Sequence, residues 1–509
     1  MQKRTKTIAK NTVLLYVRSI VIILLSVYTS RVLLDTLGVE DYGVYNVVGG
    51  IVAMFLSMKN VFAASVQRFI NYEKGAGNSE RVQEIFSTSV VIHIVIAVIF
   101  AILAECFGLF YIHRYLVLPE GMLSTAVFVF HCSVAATVVS ILTIPYDAVI
   151  IANEKMDFYA YLSIGDAVLK LLIIFCLPLL PFKYLCSYAF LILCISIFIR
   201  CVSLWYSRRF PECKFRFIFK KGTVRHLTSF AGWNFFGCMS YSLIEEGSNM
   251  ILNLFGGVTA NAARGVAYQV RSAILSLSGN VVVASQPFIT QKAATVQHND
   301  FWRYIYLQSR AVFYLIALTV FPLYVYADEI LHLWLKVVPE GTLSFVRAIL
   351  IYMLVMSFQK PLDLAFKAYN RLPLYQMTDA LILLLTLPCI YIVLKNKAPL
   401  YMAFVVFSIV RIVDYIAILI IARHQLHLKI LQYLREVLLP SAGCLMIMFI
   451  VGAAFVNLPG SESVILLCAR LIIMIIVTSL LLYLLILKRA ERDMISGMMK
   501  NILRKFYRK

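Results

Sequence analysis

The sequence has few charged residues and no segment long and polar enough to form a soluble domain. Only 14% of its 509 residues are charged, whereas 61% are hydrophobic and the mean hydropathy is +0.85. A soluble domain is usually about 45–50% apolar. Apolar runs of about 18 or more residues, enough to cross a bilayer, recur along the chain. The composition therefore predicts an all-α, polytopic membrane protein.

The sequence also lacks the motifs of common catalytic sites. It contains no Walker A loop, no GxSxG nucleophile turn and no HExxH zinc motif, and its eleven cysteines form no CxxC pair. Most of the cysteines fall within apolar runs, which favours a packing role. We therefore expect neither an enzyme nor a cofactor, zinc site or disulfide, although coupling to a proton or sodium gradient is compatible with the sequence.

Acidic residues are scarce relative to basic ones. The chain has 26 Asp and Glu against 47 Lys and Arg, a net charge of +21. Nucleic acid binding is one interpretation of this excess. The basic residues, however, concentrate in alternate connections between apolar runs and at both ends of the chain, as the positive-inside rule predicts for cytoplasmic segments. We therefore expect no nucleic acid partner and both termini in the cytoplasm.

The apolar runs predict fourteen transmembrane helices, arranged as two related sets of six followed by two further helices. We expect an N-terminal six-helix lobe at residues 1–206, a basic cytoplasmic linker at 207–225, and a C-terminal six-helix lobe at 226–422. Helices 13 and 14 follow at 437–487, and a basic cytoplasmic tail at 488–509. The predicted spans are residues 11–34, 43–70, 84–110, 121–151, 159–181, 184–206, 226–254, 264–291, 303–327, 341–369, 375–394, 399–422, 437–457 and 463–487.

An internal repeat supports the two sets. A proline, an aspartate and a tyrosine keep their spacing after 216 residues, and an Asn-Val pair followed by Ala-Ser recurs after 220. Proline removes a backbone donor and tends to kink a helix, so we expect kinks in spans four and ten. An even number of helices per set gives the two copies the same orientation, which is a known transporter plan. The repeated residues are Pro145, Asp147 and Tyr159 with Pro361, Asp363 and Tyr375, and Asn60 with Asn280.

Several basic residues lie inside the spans, where a charge costs about 2.5–3.5 kcal/mol on insertion scales. Such residues are expected to avoid lipid and to line a solvated gap between the two lobes. An electropositive gap suits an anionic substrate such as a phosphate or diphosphate, which arginine can bind bidentately. The candidate substrate-binding residues are Arg18, Lys59, Arg264, Arg271, Lys360 and Lys367.

Four acidic residues in the spans are candidates for ion coupling or gating: Asp147, Glu245, Glu246 and Asp363. The two adjacent glutamates could instead neutralise an arginine of span eight. Two further pairs of charged residues have the spacing of ion pairs within one helix and are expected to stabilise the helix bundle. Packing is the expected role of two histidines on apolar helices. These residues are Asp166 with Lys170, Arg411 with Asp414, His93 and His131.

The segment from Arg31 to Gly43 contains an arginine followed by the pairs Leu37-Gly38 and Tyr42-Gly43. It resembles the first-helix signature of bacterial polysaccharide flippases, the O-antigen and capsule repeat-unit exporters of the multidrug/oligosaccharidyl-lipid/polysaccharide (MOP) superfamily. The span count and the repeated Pro-x-Asp turns are similar to the same family, so the resemblance covers the whole chain.

This resemblance implies two six-helix lobes around a cavity in the bacterial inner membrane, with basic residues of the first helices facing it. It implies alternating access for an undecaprenyl-diphosphate-linked oligosaccharide, moved from the inner to the outer leaflet for surface polysaccharide biosynthesis. A polysaccharide polymerase would be a partner. An ion-coupled multidrug antiporter, a lipid II flippase and a non-transporting scaffold for polysaccharide assembly are the alternatives.

Overall fold

The structure is a computed structural model that describes residues 2–75, 77–153, 155–213, 221–295, 298–369, 371–456, 464–488, 491–493 and 496. In parts of these ranges, chiefly near the ends of the two longest helices, it describes the backbone alone. All regular elements in the described residues are helical. This confirms the predicted all-α class.

The helices follow one another with short connections. The bounds are α1 Gln2–Gly75, α2 Ser79–Leu103, α3 Leu109–Arg114, α4 Leu123–Leu142, α5 Ile144–Ala152, α6 Met156–Cys176, α7 Tyr184–Ser207, α8 Lys221–Thr295, α9 His298–Val325, α10 Ala327–Trp334, α11 Thr342–Met356, α12 Gln359–Ala368, α13 Leu372–Leu384, α14 Thr386–Lys395, α15 Met402–Leu426, α16 Ile430–Tyr433, α17 Leu439–Val456 and α18 Val464–Leu481. Turns of π-helix lie at Ala104–Gly108, Leu434–Leu438 and Leu482–Ile486, and 3₁₀ turns at Leu177–Leu179 and Pro211–Cys213.

The two longest helices each contain two of the predicted spans. A single glycine interrupts each: Gly38 in α1 has φ 80°, and Gly257 in α8 has φ 60°. This region of φ is accessible to glycine at little cost because glycine has no Cβ. The sequence predicted loops of several residues at both places, because the polar residues there resemble a connection. Both breaks are instead single-residue kinks, each followed by a valine.

The described residues form fourteen long helical segments. In this count α1 and α8 are each two segments, helices separated by a short break are joined, and the eight-residue α10 is left out. Eleven stretches among the described residues are long and apolar enough to cross a membrane. The predicted polytopic architecture is therefore confirmed.

The proline kinks are also confirmed. Span four is divided at Thr143, and Pro145 lies in the first turn of α5. Span ten is divided after Met356, and Pro361 lies near the start of α12. Proline is tolerated in a first helical turn because the backbone donors there have no partner within the helix. The two copies of the repeat thus share a broken span.

The chain forms two compact units that do not follow a single cut in the sequence. The first comprises Met1–Gln269, Trp334–Phe345 and Asp379–Val406, and the second comprises Val270–Leu333, Val346–Thr378 and Phe407–Lys509. In the first unit, Val44 and Val47 of α1 pack with Phe130 of α4 and Leu185 of α7. In the second, aromatic side chains of α9 and α15 pack around Tyr433. The division into two six-helix lobes stays a prediction.

Candidate functional site

Arg264 lies in a buried polar cluster of the first unit, on α8 just after the Gly257 kink. Its Nη2 donates a hydrogen bond of 2.6 Å to the main-chain carbonyl of Glu245. Its nitrogens lie 3.9 Å from carboxylate oxygens of both Glu245 and Glu246. The guanidinium also lies 3.8 Å from the ring centroid of Tyr268. Of the two roles that the sequence left open for the glutamates, neutralising an arginine of span eight is the one that this geometry favours.

Buried asparagines continue this cluster along α8. Asn261 donates to both the main-chain and the side-chain oxygen of Asn249, at 2.9 and 2.8 Å. Asn253 donates to Asn261 at 2.8 Å. Asn249 donates to the main-chain oxygen of Asn46 in α1, at 3.2 Å. Each amide has a partner, as buried polar groups require, so the cluster connects the two halves of α8 to α1.

Close backbone approach makes this connection possible. A Cβ at Gly43 of α1 would lie 2.0 Å from the carbonyl oxygen of Val258, and a Cβ at Gly50 would lie 2.5 Å from a carboxylate oxygen of Glu246. A Cβ at Gly265 of α8 would lie 2.8 Å from the side chain of Asn46. Small residues at helix interfaces allow such approach in membranes. The Gly43 of the opening motif thus has a packing role.

A second group of charges lies in the second unit. Lys360 and Asp363 of α12 are within electrostatic range of each other, and Arg271 and Lys367 are also within range of Lys360. Lys367 Nζ lies 2.6 Å from Asp363, one helical turn away on the same face of α12. The buried guanidinium of Arg271 lies 5.7 Å from the ring centroid of Tyr352. These four residues carry three positive charges and one negative charge.

Arg18 and Lys59 are the remaining basic candidates. Arg18 is half-buried in the first unit, and its guanidinium lies 5.0 Å from the ring centroid of Tyr159 in α6. Tyr159 is one of the residues that the internal repeat singled out. Among the described residues Arg18 forms no ion pair. The side chain of Lys59 lies outside the described residues. The substrate-binding role of all six bases stays a prediction.

Asp147, a candidate for ion coupling, has two partners on α7. It accepts a hydrogen bond of 2.7 Å from Ser203 and one of 3.0 Å from Arg200. Its carboxylate is therefore satisfied by a cation and a hydroxyl. Sequence reasoning missed Arg200, which lies 53 residues away. A lone arginine within the apolar run of span six was the available signal.

The two predicted ion pairs within a helix are confirmed. Lys170 Nζ lies 2.7 Å from Asp166, and Arg411 Nη1 lies 3.0 Å from Asp414 in a fully buried pair. His93 is buried, with Nδ1 2.6 Å from the carbonyl oxygen of Ser89. The packing role expected for His131 is wrong, because this side chain is half exposed and pairs with Glu105 at 3.0 Å.

No protein-family model matches the sequence, and no curated protein matches it. Solved structures do share the fold. An inward-facing multidrug resistance MATE family transporter of the MOP superfamily aligns with a TM-score of 0.67 at 12% identity, over 79% of this chain and 94% of its own. The lipid II flippase MurJ, in an inward closed conformation, aligns with a TM-score of 0.70 at 11% identity, over 93% and 99%. A MOP superfamily transporter from Pyrococcus furiosus aligns with a TM-score of 0.61 at 10% identity, over 82% and 96%.

The chain is therefore an all-helical, polytopic membrane protein with the fold of MOP superfamily transporters. At identities of 10–12%, the likeness extends to the fold and not to the substrate.

Proposed function

We propose that this protein is a flippase that moves an undecaprenyl-diphosphate-linked oligosaccharide across the bacterial inner membrane by alternating access. The substrate's diphosphate binds to basic side chains within the spans, the sugar crosses in a solvated path, and the lipid tail stays in the bilayer. The transporter fold supports a non-enzymatic role, and the opening motif from Arg31 to Gly43 supports the polysaccharide branch.

The observation that carries the proposal is the position of Lys360. This lysine is half-buried within a membrane span, and among the described residues it forms no ion pair. Its electrostatic neighbours include Arg271 and Lys367 as well as Asp363, and Asp363 is already paired with Lys367. Asp363 balances only one of the two lysines, so an anion bound beside Lys360 would be stabilised. A diphosphate supplies that anion.

The acidic candidates support an anionic rather than a cationic cargo. Glu245 and Glu246 lie beside Arg264, Asp147 beside Arg200, and Asp363 beside Lys367. A carboxylate that already has a cationic partner attracts a drug cation less strongly. This weakens the alternative of a multidrug antiporter. In the Pyrococcus furiosus transporter, a reverse polarity of the binding pocket suggests a different function, so pocket polarity varies within this fold.

A lipid II flippase is the second candidate. The solved lipid II flippase covers 93% of this chain, whereas the two other structures described above cover 79% and 82%. Lipid II also carries a diphosphate on a polyprenyl chain, so the same basic side chains would serve it. The two substrates differ in the sugar, and the opening motif favours the polysaccharide repeat unit.

Transport in proteoliposomes tests the proposal. Purified protein is reconstituted with a fluorescent undecaprenyl-diphosphate oligosaccharide, and movement between leaflets is followed by loss of access to a membrane-impermeant quencher. Lys360→Met should lower the affinity for the substrate about tenfold or more, because a charge-assisted contact to phosphate is lost. Lys429→Met is the control, since Lys429 is exposed at the start of α16.

Unchanged affinity and transport in Lys360→Met would overturn the proposed site. A wild-type protein that moves lipid II but not the oligosaccharide lipid would favour the second candidate. Transport of a cationic drug without movement of either lipid would support the antiporter.

A further inference from the structure

A groove in the second unit has the chemistry of a lipid-chain site. It lies between α9, α11 and α17 and has a volume of about 550 Å³, within the range of about 300–1,000 Å³ typical of ligand sites. Its lining is almost wholly apolar and includes Phe321, Leu354, Met448 and Ala453. Phe449 at its edge is 79% exposed, so the groove opens sideways toward the membrane.

The groove has the length of a chain segment within one leaflet. On α17 its lining runs from Leu445 to Ala453, and on α9 from Ala317 to Val325. Eight residues of helix rise about 12 Å, and the hydrocarbon of one leaflet is about 15 Å deep. Both helices contribute the half of their length that ends at the connections predicted to be outside. The groove therefore corresponds to the outer leaflet in the predicted orientation.

A cation lies at one end of this groove. Arg347 precedes Ile351, a lining residue, by one helical turn on α11, so both lie on the same face. The guanidinium lies 5.7 Å from the ring centroid of Tyr324, another lining residue. Among the described residues Arg347 forms no ion pair, and its Nε is buried without a hydrogen-bond partner. Arg347 is half-buried, and a partly desolvated guanidinium without an acidic partner is stabilised by a bound anion.

We propose that this groove binds one hydrocarbon chain of an anionic phospholipid whose phosphate rests on Arg347. A guanidinium matches the geometry of a phosphodiester, and one arginine balances its single negative charge. The apolar wall accepts the chain, and the lipid remains in its own leaflet. This lipid is a resident ligand of the second unit, distinct from the transported substrate, and its binding does not depend on the proposed function.

Two pairs of variants test the site by separate routes. Arg347→Gln removes the anchor for the phosphate, and Arg423→Gln makes the same change at an exposed arginine in the last turn of α15. Ala453→Phe fills the groove, whereas Ala454→Phe adds the same ring one residue further on, outside the lining. Both alanines are exposed, so their substitution should be tolerated in the fold.

The measurement is native mass spectrometry of the delipidated full chain, titrated with phosphatidylglycerol or phosphatidylcholine of the same chain length. We expect one tightly held phosphatidylglycerol per protein and at least tenfold weaker retention of phosphatidylcholine. Arg347→Gln and Ala453→Phe should each weaken phosphatidylglycerol retention about tenfold or more. Arg423→Gln and Ala454→Phe should retain it as the wild type does.

Equal retention of the two lipids, or unchanged retention in Arg347→Gln, would overturn the proposal. A similar loss in all four variants would also overturn it, because the binding would then be non-specific. The last measurement is competition between undecaprenyl diphosphate and phosphatidylglycerol for the groove. Displacement of phosphatidylglycerol by that lipid would assign the groove to the substrate path instead, whatever the result of the transport assay on Lys360.

Discussion

Arg264 donates a 2.6 Å hydrogen bond to the main-chain carbonyl of Glu245, nineteen residues earlier in the same kinked helix α8. The side chains of the two residues are only 6% and 9% exposed. The contact bridges the glycine kink and fixes one half of α8 against the other.

We expect Arg264→Met to lower the free energy of unfolding by about 3–5 kcal/mol, because it removes the guanidinium beside the buried carboxylate of Glu245. Equilibrium unfolding in mixed detergent micelles measures this change. The triple variant that also carries Glu245→Gln and Glu246→Gln should recover much of the loss. A stable Arg264→Met variant that no longer binds substrate would instead assign Arg264 to the substrate site.

The close contact at Gly43 predicts a large difference in stability between the alanine variants of two glycines of α1. Gly43→Ala should destabilise the protein severely, because the added Cβ would lie 2.0 Å from the carbonyl oxygen of Val258. Gly49→Ala is the control, since nothing lies within 4 Å of its Cβ, and it should be neutral or stabilising by about 0.5–1 kcal/mol. Yield and melting temperature in detergent distinguish them. Equal behaviour of the two variants would contradict the packing described for α1 and α8.

Replacing Asn253 should cost more stability than replacing a polar residue whose hydrogen bond stays within its own helix. It accepts a hydrogen bond from the backbone nitrogen of Val117 at 2.9 Å and donates one to its carbonyl at 3.2 Å. Asn253→Ala leaves these groups unsatisfied and should cost about 1–3 kcal/mol. Ser163, whose hydroxyl donates to the carbonyl of Tyr159 one turn earlier in its own helix, should tolerate alanine with a smaller loss. The two unfolding free energies are compared in the same detergent.

The aspartates of two ion pairs should differ in their contribution to stability. The side chain of Asp147 is 11% exposed and has two donors on α7, whereas that of Asp166 is 30% exposed and has one partner on its own helix. Asp147→Asn should therefore lower the melting temperature more than Asp166→Asn. A double-mutant cycle with Arg200→Met gives the coupling energy of the Asp147 pair. A coupling energy near zero would show that Asp147 is available for another role.

The charged residues show which ion pairs helical spacing alone can predict. The pairs Asp166–Lys170, Asp363–Lys367 and Arg411–Asp414 were predictable because residues three or four apart share a helix face. The partner of Asp147 was not predictable, since Arg200 lies on another helix. The choice between two roles for Glu245 also depended on a contact across the Gly257 kink, which periodicity does not encode.

The sequence by itself determined that the chain crosses the membrane many times and where the repeated prolines break spans four and ten. These properties follow from composition and local spacing, because the bilayer requires long apolar helices. The cytoplasmic side of the basic connections stays a prediction. Only the tertiary structure decided which buried charges have partners, and it revealed the groove beside Arg347. Those features depend on contacts between helices distant in sequence, where packing brings together residues that no local pattern relates.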